Sequence, residues 1–181
     1  MNTLSMIHNP VPFTKKKDKN YMGEVNIAVK LTNTVDEALA HRKKLSKSKI
    51  RTLVDVGIVD TGAIALILPK RIADQLGLQR VDRQIAVYAN GASEEVDVTE
   101  PVTIEIMGRK TIEEAMVLGD DILIGQTVLE KTDFIVDCRE RRLLPRHPEG
   151  AVFRVGSPRM RRMEPFPPTA PTTSKKTVKK K

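Results

Sequence analysis

Ile58-Val59-Asp60-Thr61-Gly62-Ala63 is the stretch on which the reading of the fold turns. Thr52 to Val59 leads into it as an apolar, β-branched run, and Ile64 to Leu68 leaves it as another. The pattern is strand, tight loop, strand, with both strands buried. Asp60 therefore emerges from the end of a strand, where rigid backbone holds its carboxylate. Gly62 leaves room for a second backbone to come close. Alone, Asp-Thr-Gly reads as an ordinary turn. The chemistry it would suit is more particular. Two carboxylates about 3 Å apart cannot both ionise, so one serves as acid and the other as base toward a water held between them. Thr61 is then placed to hydrogen-bond across such a pair.

Working outward, Val25 to Leu31 alternates apolar and polar residues as a strand does. Thr34-Val35-Asp36-Glu37 has the capping-box pattern and predicts a helix from Val35 to about Leu45. On the other side, Pro69 opens a predicted helix that runs to Leu76 and stops at Gly77. Gln84–Tyr88 and Glu95–Val98 flank Asn90-Gly91, the strongest short hairpin signal. Val102–Ile106 and Thr111–Leu118 flank Gly108 as a second hairpin. Ile122-Leu123-Ile124-Gly125 is a short buried strand ended by glycine, followed by a turn of helix at Thr127–Lys131. Phe134–Asp137 and Arg142–Leu144 form a last hairpin, with Cys138 read as a small core residue of a late strand. Strands that follow one another through tight turns predict an all-β, barrel-like architecture.

The succession of Asp60-Thr61-Gly62-Ala63, a hairpin tip at Asn90-Gly91, then Ile122-Leu123-Ile124-Gly125 and a short helix resembles the retropepsin-like aspartic proteases of clan AA. It resembles the bacterial aspartyl protease family most closely, over about Tyr21 to Pro145. The resemblance implies a closed acid-protease barrel lobe with short helices, in which the Asp60 loop and the Gly125 loop cross. It implies catalytic roles for Asp60, Thr61 and Gly62, and a flap at Asn90 and Gly91 that closes over substrate. Ala63, Leu123, Ile124 and Gly125, beside the motif glycines, are the candidate pocket residues. The site needs two aspartates and the domain-sized stretch supplies one such motif, so a second copy related by a two-fold axis is expected to bring the other. The expected activity is aspartic endopeptidase, as a homodimer acting on peptide or protein substrates without a cofactor. Two features depart from the family pattern: a polar, acidic flap sequence, Ala92-Ser93-Glu94-Glu95, and an additional helix at 35–45 with basic Lys43, Lys44, Lys47 and Lys49.

Composition bounds the alternatives. Aromatic residues are 3 % of the chain and Trp is absent, so the core must be aliphatic. No apolar run approaches the roughly 18 residues of a membrane span, and Met1 to Lys19 has no apolar signal-peptide core. No membrane association is expected. The single Cys138 makes no internal disulfide, in keeping with a reducing, cytoplasmic location. His8, His41 and His147 are too scattered for a metal site. The net charge of +8 lies in the ends. Nine Lys or Arg face one acid in 154–181, and four Lys face Asp18 in 1–20, whereas 21–153 has 18 basic and 21 acidic residues. The chain therefore divides into a flexible arm (1–20), the protease-like domain (21–153) and a disordered, basic, Pro-rich tail (154–181). The tail suits nonspecific contacts with acidic partners. The competing reading is a non-catalytic homodimeric interaction module whose basic tail binds nucleic acid or an acidic partner. A third is a protease that trims only its own ends.

Overall fold

The computed structural model describes residues 24–88 and 90–152. The arm at 1–20, the tail at 154–181 and the outermost residues of the 21–153 domain lie outside them. β1 (Val25–Asn33) pairs antiparallel with β2 (Thr52–Val59), from Val25 opposite Val59 to Thr32 opposite Thr52. After the Asp60 loop come β3 (Leu66–Leu68), α2 (Lys70–Gln75) and the long hairpin of β4 (Arg80–Val87) and β5 (Ser93–Thr99). Then follow β6 (Val102–Ile106), β7 (Arg109–Glu113), β8 (Ala115–Val117), β9 (Ile122–Ile124), α3 (Gln126–Thr132), β10 (Phe134–Asp137) and β11 (Arg142–Pro145). α1 (Thr34–His41) lies between β1 and β2. Nine strands form one sheet in the order β4-β5-β8-β3-β9-β2-β1-β6-β7, and β10 and β11 pair separately. This is the all-β, retropepsin-like fold class. Among the described residues the ladder runs between edges at β4 and β7 rather than closing on itself.

The core is aliphatic, as the shortage of aromatics requires. Leu31, Leu66, Leu68, Ile72, Ile104 and Ile124 are completely buried, with α2 and α3 packed onto the strands through Ile72, Ala73 and Val128. No described helix is long and apolar enough to cross a membrane.

Several local expectations are corrected. The cap of α1 is Asn33, not Thr34: the Asp36 N–H donates to Asn33 Oδ1 at 3.0 Å. The helix stops at His41 rather than near Leu45, because Lys43 takes a positive φ and the Lys43 and Lys44 N–H groups turn back to Ala40 and Leu39. The stretch 111–118 is not one strand. It divides into β7, which pairs with β6, and β8, which crosses to β3 and β5. The hairpin expected about Asn90-Gly91 is present as β4 and β5, with the Tyr88 N–H donating to Ala92 O at 2.8 Å. A tight two-residue turn, Met107-Gly108 with both residues at positive φ, joins β6 to β7. Cys138 is exposed in the turn after β10, not in the core.

Two polar clusters join the layers. Asp36 is buried and accepts from Arg51 through Nε (2.7 Å), Nη2 (2.7 Å) and the backbone N–H (3.0 Å), while Arg51 Nη1 reaches Gly77 O at 3.2 Å. The start of β2, α1 and the end of α2 meet there. Asp133 ends α3 at φ 57° and accepts from Arg109, His147 and the Val152 N–H. Burial works to raise the Asp133 carboxyl, but these partners, His147 foremost, hold it below the usual range. Arg109 also lies 5.1 Å from the centre of the Phe134 ring, so β7 holds the two-stranded sheet in place.

The Arg51 side-chain hydrogen bonds hold the Asp36 carboxyl below its ordinary value. A lowered value in the folded state adds stability that is complete above the usual carboxylate range and lost as pH falls from that range through the lowered folded-state value. Asp36→Asn should cost on the order of 2 kcal/mol in urea unfolding near neutral pH. That is below the roughly 3–5 kcal/mol of a fully buried pair, because the Arg51 side chain is 45 % exposed. The gap between wild type and variant should narrow steadily below about pH 5.

Candidate active site

The loop that follows β2 is pinned from three sides. The Asp60 N–H donates to Ile124 O at 3.1 Å, which carries the parallel β2–β9 ladder one step past Val59. Asp60 Oδ1 accepts the Gly62 N–H at 2.9 Å, so the carboxylate is oriented by its own loop. The Ala63 N–H returns to Asp60 O at 3.2 Å and closes the turn. The first N–H groups of α3 lack partners within their own helix. Those of Gln126 and Thr127 donate to Ala63 O (2.8 Å) and Ile64 O (3.0 Å).

β9 runs between the two strands that the Asp60 loop connects. It lies parallel to β2, with Leu123 opposite Ile58, and antiparallel to β3, with Leu123 opposite Ile67. The loop must therefore cross over the end of β9, and Gly125 marks the crossing. A Cβ at Gly125 would fall 2.1 Å from Ala65 O and 2.9 Å from Ala63 O. At Gly62 the space is less confined, with Asp60 Oδ1 at 3.2 Å.

The two faces of β9 differ. Ile124 is completely buried and packs on Gly57, so it belongs to the core. Leu123 is half-buried on the opposite face, beside Ile58. Asp60 follows Ile58 by two residues, so strand alternation puts its carboxylate on the Leu123 face. Asp60 is half-buried, while Thr61 and Gly62 are exposed.

Asp60, Thr61, Gly62, Ala63, Leu123, Ile124 and Gly125 are thus brought to one place. Asn90 and Gly91 are not joined to them by the hydrogen bonds at the tip, which stay within the hairpin: the Ala92 N–H donates to Asn90 Oδ1 and the Gly91 N–H to Tyr88 O, both at 2.9 Å. Two neighbours, Ile58 and Ile64, are read from the sequence as strand residues and not as part of the site. Ile58 was legible from its even spacing to Asp60. Ile64, 74 % exposed, was hidden because it begins a run that otherwise reads as core. Grooves of about 440 and 420 Å3 line the hairpin and β8, and neither includes Asp60. Among the described residues no cluster of His, Cys, Asp or Glu could hold a metal ion.

An Asp-Thr-Gly loop crossed by a glycine-ended strand, inside an all-β lobe, is the arrangement that the sequence resemblance to the retropepsin-like aspartic proteases implies. Residues 45–131 match the family described as "gag-polyprotein putative aspartyl protease", and the domain they span is a retropepsin-like aspartyl protease domain. That stretch takes in β2, the Asp60 loop, β9 and almost all of α3, and leaves β1 and α1 outside. No curated protein matches the chain.

The crossing makes a direct prediction. Gly125→Ala should displace the 63–65 carbonyls and lower the urea midpoint by an equivalent of at least about 2 kcal/mol, the scale of overpacking a tight interior. Gly57→Ala should cost less, since its nearest obstacle is the movable Ile124 side chain at 3.0 Å.

Proposed function

We propose that the protein is an aspartic endopeptidase whose site is completed by a second copy, each copy contributing Asp60. The observation that carries this reading is the Asp60 loop itself, tightly held from behind by β9 and α3 yet open in front, with a single carboxylate. A water between two facing carboxylates would lose its proton to the ionised one while attacking the peptide carbonyl carbon. The protonated one would give its proton to the carbonyl oxygen. Collapse of the resulting diol would break the C–N bond, with a proton passing to the leaving nitrogen. Gly62 allows the two loops to approach, and Thr61 hydrogen-bonds across the pair.

In this reading the exposed Ile64 is covered by the partner copy. Ile58 and Leu123 form the apolar wall beside the scissile bond, with Ala63, while Ile124 and Gly125 serve it from the core. The β4–β5 hairpin, with Asn90 and Gly91 at its tip, is the flap. Ile85 and Val87, 70 % and 73 % exposed, support that role because they are apolar surface with nothing yet against it. The protease domain takes in 21–153, with the basic ends outside it.

Asp60→Asn should abolish peptide cleavage and leave the fold intact by circular dichroism, and mixed dimers with wild type should be inactive. Full activity in mixed dimers would rule out a shared site. Because one carboxyl must be protonated and the other ionised, the rate should follow a bell on the acidic side of neutral. A non-catalytic module predicts no difference between wild type and Asp60→Asn in any cleavage assay.

The wall assignment has its own test in a peptide-library digest. Leu123→Ala and Ile58→Ala should change which bonds are cut. Ile124→Ala should leave the preference unchanged and cost about 2–5 kcal/mol of stability.

A further inference from the structure

α1 is built inside out. An amphipathic helix normally turns its apolar stripe to the core and its charges to water. Here the polar side chains face the sheet: Asp36 is held by Arg51, Glu37 accepts from Thr103 Oγ1 at 2.6 Å, and Thr34 Oγ1 meets Thr103 Oγ1 at 3.0 Å. Val35, Ala38, Leu39 and Arg42, at helical spacing on the other side, line a groove of about 230 Å3 together with Thr34 and Pro101. Val35 is 39 % exposed there and Ala38 is also exposed.

Arg42, in the groove lining, opens a strongly cationic stretch of the chain. Arg42, Lys43, Lys44, Lys47 and Lys49 occupy eight consecutive positions that contain no acid, and all five are exposed. None of the five makes an ion pair among the described residues, although 21–153 as a whole carries 21 acids against 18 bases. The nearby carboxylates are occupied elsewhere, Asp36 by Arg51, Glu37 by Thr103 and Glu100 by Asn33.

We propose that this groove is a docking site for an acidic peptide segment that carries one or two apolar side chains, on a partner protein. The apolar floor takes the anchor, and the cations of the stretch that Arg42 opens take the flanking carboxylates. A nucleic acid backbone matches the charge but offers no aliphatic side chain for the floor. A second copy of the same surface would set cations against cations. The site is remote from the Asp60 loop. Val25, at the start of β1, pairs with Val59, so α1 at the far end of β1 stands about 25 Å from that loop at strand rise per residue. It would select or hold a protein without touching the scissile bond.

The test is fluorescence anisotropy on the full chain with three labelled probes: a short peptide alternating Glu and Leu, an all-Glu peptide of the same length, and a single-stranded oligonucleotide. The Glu/Leu peptide should bind in a salt-dependent way and at least about tenfold more tightly than the all-Glu peptide. Val35→Asp should weaken it by about tenfold or more, and so should the double change Lys43→Glu with Lys44→Glu, each keeping wild-type circular dichroism. Short-peptide cleavage should be unchanged in both variants, which separates this site from the Asp60 site. Equal binding of the two peptides, tighter binding of the oligonucleotide, or no effect of either variant would overturn the proposal. Should Val35→Asp unfold the helix, the lysine pair alone decides, because those side chains lie outside α1 and carry no packing.

Discussion

The close approach of Gly125 to the carbonyls of Ala63 and Ala65 is the constraint on which the rest depends. A strand inserted between two others must be passed over by the loop that joins them. At the crossing, two backbones come closer than any side chain permits. In return, β9 gains a neighbour on both edges, and the N-terminus of α3 gains acceptors for its free N–H groups. The same bonds hold Asp60 at the end of β2, so the geometry of the site and the connectivity of the sheet are one structural fact.

A second economy lies at the opposite end of β1 and β2. Asn33 caps α1 through Oδ1, and its Nδ2 donates to Leu76 O at 3.1 Å and Glu100 Oε1 at 3.3 Å. Arg51 joins Asp36 to Gly77. A completely buried asparagine is tolerated because its amide is bonded on both sides. This polar anchoring also explains the inversion of α1. With the inward face of the helix committed to Asp36 and Glu37, Val35 and Ala38 are left exposed on the other side.

The hairpin of β4 and β5 contrasts with both ends. It is an edge element whose outer half is largely exposed, with its buried residues, Val96, Val98 and Thr99, confined to the base of β5. Its charged rungs, Arg83 to Glu95 and Asp97 at 3.3 Å each, lie in water and add little to stability. An element with little apolar burial opens locally at low cost.

Composition and short-range pattern were enough for much of this protein. The aliphatic core follows from the lack of aromatics, and β2, β6, β9 and β10 follow from runs of β-branched residues bounded by turn formers. The Asp-Thr-Gly loop and its later Ile-Leu-Ile-Gly partner were visible because their chemistry restricts the residues that fit. Other features were decided by contacts between residues distant in sequence. Thr34 and Asn33 are both good caps by type, and Asn33 prevails because its other amide atoms find Leu76 and Glu100. The break at Glu114, between β7 and β8, arises because β8 serves β3 and β5, which no local pattern records. Leu123 and Ile124 are alike as a sequence reads them. Only the parallel pairing with β2 puts one in the core and the other beside Asp60, because a strand's alternation acquires an inside and an outside once a second layer covers one face.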